Sequence, residues 1–132
     1  MTLVDTNVLL DILTDDPRWA LWSLSRIEAA GIRGPVAVNG VIYAELSAGA
    51  ESIAEVDETL EDAGIILEEI PRAALFLAGK AFALYRSSGG QRTGVLPDFF
   101  IGAHATVIGA TLLTRDTRRY RTYFPNLDLL TP

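Results

Sequence analysis

Asp5, Glu45, Asp98 and Asp116 are the residues whose type and placement point to chemistry. Asp5 follows the apolar run Thr2 to Val4, which is too short to be anything but a buried strand. Asp5-Thr6-Asn7 then supplies the side chains that open a helix. Asp116 repeats the pattern two residues after the apolar run at 111–114, with Thr114 and Thr117 beside it. Asp98 stands behind Pro97 in the first turn of a helix. Glu45 falls in the second turn of another, the one charge among Val41, Ile42, Ala44 and Leu46. Each has an ordinary explanation: helix capping for Asp5 and Asp116, dipole compensation for Asp98, a solvent-facing position for Glu45. Gathered at one edge, the four would repel one another and require a cation. Oxygen ligands, with no cysteine and one histidine, select Mg²⁺ or Mn²⁺ over zinc. Carboxylate-held Mg²⁺ with water in its other positions is a phosphoryl-transfer site.

The elements that must bring these acids together alternate. Strands are predicted at Thr2–Val4, Pro35–Val38, 65–70, 111–114 and near Leu127–Leu130. Helices begin at Thr6, around Pro17 with its end at Gly31, at Asn39 or Gly40, within Glu51–Asp62, over Arg72–Ser88, and at Pro97–Asp98 running to Gly109. This βαβα order predicts an α/β fold with a parallel sheet of four to five strands covered on both faces, spanning residues 1–132 as one domain. In such sheets ligands bind at the carboxyl ends of the strands, where Asp5 and Asp116 fall. Spacing does not say whether the turns bearing Glu45 and Asp98 face that same edge. Trp19 and Trp22 share a helix face, as core or as a partner surface, and His104 reads as structural.

Hydrophobic residues make up 49% and charged residues 21%, as in soluble globular chains. With no cysteine, disulfides and thiolate metal sites are excluded, which fits a reducing cytoplasm. No signal peptide is apparent, and the longest apolar stretch, Phe99–Leu113, falls short of a membrane span. The net charge of −6 argues against a nucleic-acid partner, but it is unevenly spread. Residues 1–71 hold 14 acids against 3 arginines, whereas residues 72–132 hold 8 basic residues against 3 acids. Arg115, Arg118, Arg119 and Arg121 crowd into one run, and Arg86 and Arg92 flank a Gly/Ser loop, so this half presents either a phosphate-binding face or a solvated helix surface.

The segments VDTNVLLDIL, YAEL, LPDFFIGAHA and LLTRDTRRYRTYFP, in this order and spacing, resemble a PIN-domain ribonuclease, specifically the VapC-type toxin of a bacterial toxin–antitoxin pair. The resemblance covers the whole length. It implies a three-layer α/β/α sandwich, a homodimer, Mg²⁺- or Mn²⁺-dependent cleavage of RNA, and inhibition by a cognate antitoxin in a hetero-oligomer. Asp5, Glu45, Asp98 and Asp116 match the family's acidic quartet, and Thr114 matches the polar residue before its last acid. Asp5, Asp98 and Asp116 are then metal ligands, with Glu45 bound directly or through water. Thr6, Asn7, Thr114, Arg115, Arg118 and Arg119 are candidates for substrate contacts. A haloacid-dehalogenase-type phosphatase also begins with a strand ending in Asp, but its second Asp would fall where Asn7 stands. A receiver-type signalling module needs a late lysine, and Lys80 is mid-helix. A PIN scaffold that only binds other proteins is the remaining alternative.

Overall fold

The computed structural model describes residues 1–132. Five three-residue strands, β1 (Thr2–Val4), β2 (Val36–Val38), β3 (Ile65–Leu67), β4 (Thr111–Leu113) and β5 (Asp128–Leu130), form one sheet in the order β3-β2-β1-β4-β5. Every pairing is parallel, with Leu3 opposite Ala37 on one side and Leu112 on the other. Parallel neighbours need crossovers, and the helices supply them: α1 (Thr6–Leu13), α2 (Ala20–Arg33), α3 (Gly40–Ser47), α4 (Ile53–Asp62), α5 (Arg72–Ser87), α6 (Leu96–Ile108) and α7 (Arg118–Tyr123). The chain winds outward from β1 through β2 to β3, then returns to the opposite side of β1 with β4 and β5. The winding therefore reverses between β1 and β4, which is where open α/β sheets leave a crevice at the strands' carboxyl ends.

β1, β2 and most of β4 are fully buried, because helices lie over both faces of the sheet. One continuous cluster of buried apolar side chains, including Leu3, Val38, Ile42, Phe99, Ile101 and Leu112, fills the space on either side. α5 is less buried than its apolar composition implies. Only Ala74, Ala78 and Ala81 are fully covered, Leu77, Phe82 and Tyr85 are half-buried against the core, and Leu75, Phe76 and Leu84 face solvent.

Several boundaries differ from the sequence expectation. The third strand stops at Leu67, and Glu68 adds one further ladder bond, from its N–H to the Val38 carbonyl at 2.8 Å. Gly31 lies inside α2, which ends at Gly34. The segment Asp16–Trp19 precedes α2 as a turn, with Asp16 Oδ1 accepting from the N–H groups of Arg18 and Trp19, both at 2.9 Å. Gly109 does end α6, at φ 68°, a left-handed value that glycine adopts without the Cβ penalty.

One glycine fixes how α7 docks. A Cβ on Gly102 of α6 would meet the ring of Phe124 at 2.5 Å and Tyr120 at 3.1 Å, so its bare backbone lets the end of α7 lie against α6.

Candidate active site

Asp5 leaves β1 at the reversal point and caps α1, its Oδ1 accepting from the Thr6 N–H at 2.7 Å. Its other oxygen, Oδ2, accepts from the hydroxyls of Thr114 at 2.8 Å and Tyr120 at 2.9 Å, and from the Asn7 amide at 3.3 Å. Asp5 is only 5% exposed. Burial pushes its pKa up, opposed by the hydrogen bonds from Thr114, Tyr120 and Thr6, while the charge of Glu45 pushes it up further.

Thr114, fully buried at the end of β4, joins the two strands' carboxyl ends. Its hydroxyl donates to Asp5, and that oxygen accepts the Asp116 N–H at 3.1 Å, fixing the turn that carries Asp116. Asp116 is exposed, its Oδ1 accepting from the Arg118 N–H at 3.3 Å. Asn7 ties the same turn to α1, its amide nitrogen 3.3 Å from Thr114 Oγ1 and its amide oxygen accepting the Arg115 N–H at 3.2 Å.

Asp98 enters from the first turn of α6 but caps nothing with its side chain. It is half-buried and pairs with the guanidinium of Arg119 on α7. Burial, with the charges of Asp5 and Asp116, pushes its pKa up to about 6 against the lowering influence of Arg119. Glu45 sits on the exposed side of α3, with Val41 and Tyr43 half-buried and Ala44 exposed around it. The solvent-facing alternative therefore holds for its backbone position, while its Oε1 still accepts from the Thr6 hydroxyl at 2.8 Å. Asp5 thus senses the charge of Glu45, and Asp98 senses the charges of Asp5 and Asp116.

The donor set fits a hard divalent cation: four carboxylates and no sulfur, with Asp98's pKa already lifted by burial and by the charges of Asp5 and Asp116, and one guanidinium the only opposing charge on it. No three of the acids lie close enough to grip an ion together as they stand.

Beside Asp116 a cavity of about 490 Å³ is lined by Arg92, Arg115, Asp116, Thr117, Arg118 and Arg119, with no apolar residue. Arg115 also turns inward. Its Nε and Nη2 donate to the buried Asp11 at 2.7 and 2.8 Å, and its guanidinium carbon lies 5.1 Å from the centre of the Trp19 ring. Trp19 meets Trp22 edge-on at 5.9 Å. His104 is 1% exposed, and the Asn39 amide donates to its Nδ1 at 3.2 Å, while Asn39 caps α3 through the Ile42 N–H. Tyr120 and Asp11 are the site and support residues that the sequence alone does not single out; Asn39 is expected there only as a helix start, which it is, and its contact with His104 is the addition. For Tyr120 the available signal is an aromatic four residues after Asp116, on the helical period.

A doubly wound parallel sheet with acids at its reversal point is the class that this geometry defines. The family model described as the PIN domain matches residues 2–125, and the chain belongs to that family. No curated protein matches the sequence. Among solved structures the fold is similar to a chain of VapBC2 from Rickettsia felis bound to a DNA fragment from its promoter, at 18% identity and TM-score 0.76, covering 99% of this chain and 98% of that one. It is similar also to a chain of VapBC-1 from nontypeable Haemophilus influenzae, at 16% identity and TM-score 0.71, covering 98% and 96%. A toxin–antitoxin complex from Klebsiella pneumoniae contains a third, at 22% identity and TM-score 0.64, covering 100% and 98%. No helix is long and apolar enough to cross a membrane.

Proposed function

We propose that this chain is the toxin of a toxin–antitoxin pair, a PIN-domain endoribonuclease that hydrolyses RNA phosphodiesters with Mg²⁺ or Mn²⁺ and is restrained by a cognate antitoxin. The observation that carries this reading is the placement of Asp5 and the Thr114–Asp116 turn side by side where the sheet's winding reverses, with Asp98 and Glu45 within electrostatic reach. Asp5, Glu45, Asp98 and Asp116 would hold the ion. When bound, it supplies a Lewis acid for the phosphate and an acidified water for hydrolysis.

The chain's own residues do the rest. Thr114 and Asn7 hold Asp5 and the Asp116 turn in register, and Thr6 holds Glu45. Thr6, Asn7, Thr114 and Arg115 already spend polar atoms on partners within the protein, so they act chiefly as the frame of the substrate crevice. Arg92, Arg118 and Arg119 around the polar cavity meet the phosphates. His104 is buried and engaged by Asn39, which supports a mechanism without a histidine base. The neighbours' presence in toxin–antitoxin complexes supports the antitoxin partner, and exposed Leu75, Phe76 and Leu84 on α5 support a homodimer.

The test is cleavage of a mixed single-stranded RNA by the purified chain with Mg²⁺ or Mn²⁺, with and without chelator. Metal-dependent fragments from wild type and none from Asp98→Asn are the expected result. Cleavage that survives chelation, or equal cleavage by Asp98→Asn after metal is restored, sinks the reading.

A further inference from the structure

Tyr120 is buried to 2% exposure on a six-residue helix that also carries Arg118, Arg119 and Arg121. Its ring packs beside Gly102, and its hydroxyl reaches across 115 residues of sequence to Asp5 Oδ2 at 2.9 Å. That oxygen also takes the Thr114 hydroxyl and the Asn7 amide. A carboxylate oxygen offers about two lone-pair directions, and the two short hydroxyl bonds, from Thr114 and Tyr120, fill them; the Asn7 amide at 3.3 Å is longer than an ordinary N–H···O bond and is shared with Thr114 Oγ1. Oδ1 accepts a single bond, from the Thr6 N–H, and keeps one.

We infer that Tyr120 is a positioning residue which confines Asp5 to one available oxygen, Oδ1, and thereby sets which cation the crevice prefers. This rests on the metal-dependent reading above. Mg²⁺ and Mn²⁺ suit carboxylates that each give one oxygen to a compact octahedral shell, whereas Ca²⁺ is larger and readily takes both oxygens of one carboxylate. A carboxylate with one oxygen already occupied disfavours the larger ion. The Tyr120 hydroxyl suits this role because its buried ring packs beside Gly102 of α6, which holds the hydroxyl at Asp5.

Tyr120→Phe removes the hydroxyl and keeps the ring that fills the space beside Gly102. Binding of Mn²⁺, Mg²⁺ and Ca²⁺ is measured by calorimetry on the full chain without RNA, for wild type, Tyr120→Phe and Tyr123→Phe. Tyr123 packs against Tyr85 and Phe99 and serves as the matched control. In Tyr120→Phe, Kd for Mn²⁺ and Mg²⁺ should rise roughly tenfold, the usual scale for losing a group that orients a ligand. Kd for Ca²⁺ should rise less, so that discrimination between the ions narrows, while Tyr123→Phe keeps wild-type values. Unchanged Mn²⁺ affinity in Tyr120→Phe, an equal loss for all three ions, or the same loss in Tyr123→Phe overturns the inference. If Tyr120→Phe proves unfolded by circular dichroism, Thr114→Val, which strips a different donor from the same oxygen, must show the same narrowing or the inference falls. Wild type that binds Mn²⁺ but cuts no RNA defeats the nuclease reading and leaves this one standing, whereas wild type that binds no metal defeats both.

Discussion

Arg115 holds Asp11 through two parallel hydrogen bonds, so the residue next to Asp116 is anchored to the last turn of α1. Ser23 of α2 donates to the same carboxylate at 2.9 Å, and Trp19 lies beneath the guanidinium. One ion pair thus joins α1, α2 and the turn after β4.

Removing the arginine should cost more than removing both partners, because Asp11 is 4% exposed and would keep its charge without a counter-ion. Arg115 itself is 28% exposed, which weakens the pair relative to a fully buried one. Arg115→Ala should therefore destabilise by about 2–3 kcal/mol. Adding Asp11→Ala to it should recover part of that loss. Urea unfolding of both variants decides this, and a double variant less stable than Arg115→Ala would contradict it.

Asp98 sets the pH response of the crevice. Its folded pKa of about 6 lies above its ordinary value of 3.8, so the folded chain binds more protons between those values and stability falls as pH rises through that window. In chelator near neutral pH, Asp98→Asn should be at least as stable as wild type and should lose this slope. Protons and metal compete for the same carboxylate, so Mn²⁺ affinity should strengthen as pH rises through about 6. Melting curves across pH, with and without Mn²⁺, test both statements; a wild-type profile that Asp98→Asn reproduces would refute them.

His104 works in the opposite sense. Burial pushes its pKa below 6.5, so on acidification the unfolded chain gains a proton first, and stability drops as pH falls from 6.5 toward the folded value. Asn39→Ala removes both the α3 cap and the donor to Nδ1, and should cost about 1–3 kcal/mol. Asn39→Asp, which keeps a capping oxygen, should cost less than Asn39→Ala at a pH where His104 is protonated. Denaturant midpoints on either side of 6.5 give the comparison, and equal costs at both pH values for both variants would exclude this coupling.

The arginine-lined cavity predicts a salt signature. Reversing Arg118 and Arg119 to Glu should weaken RNA binding across sequences and flatten its dependence on log salt by up to ~0.7 for each phosphate neutralised in wild type but not in the variant. Arg119 also pairs with Asp98, so Arg118→Glu alone is the cleaner measurement. Filter binding across roughly 50 to 200 mM salt reads the slope, and an unchanged slope would mean that these arginines merely face solvent.

Much of the fold is legible in the chain because the strands announce themselves. Thr2–Val4 and Thr111–Leu113 are short apolar runs each followed within three residues by an acid, so local sequence alone locates Asp5 and Asp116, although only Asp5 caps a helix. Asp98 is legible from Pro97 at the helix start. Glu45 is harder: α3 has apolar residues all round, and only tertiary packing exposes the side that carries it. α7 is not legible as an element, because Arg118–Tyr123 reads as a charged run and the burial of Tyr120 depends on a glycine 18 residues earlier. The third strand reads too long in the sequence because no turn residue stands between Leu67 and Pro71, whereas the ladder goes only one bond past Leu67.

The strand order has a consequence for the chain while it is being made. β1 is central, yet the neighbour that completes its crevice edge is β4, and the hydroxyls that fix Asp5 belong to residues 114 and 120. During synthesis from the amino end, β1, β2 and β3 and their helices emerge first and already possess two of the four acids. Long-range pairings form late because their loops are the costliest to close. A growing or prematurely ended chain therefore carries Asp5 and Glu45 without the wall that positions them, and whatever the crevice does begins only once Tyr120 has left the ribosome.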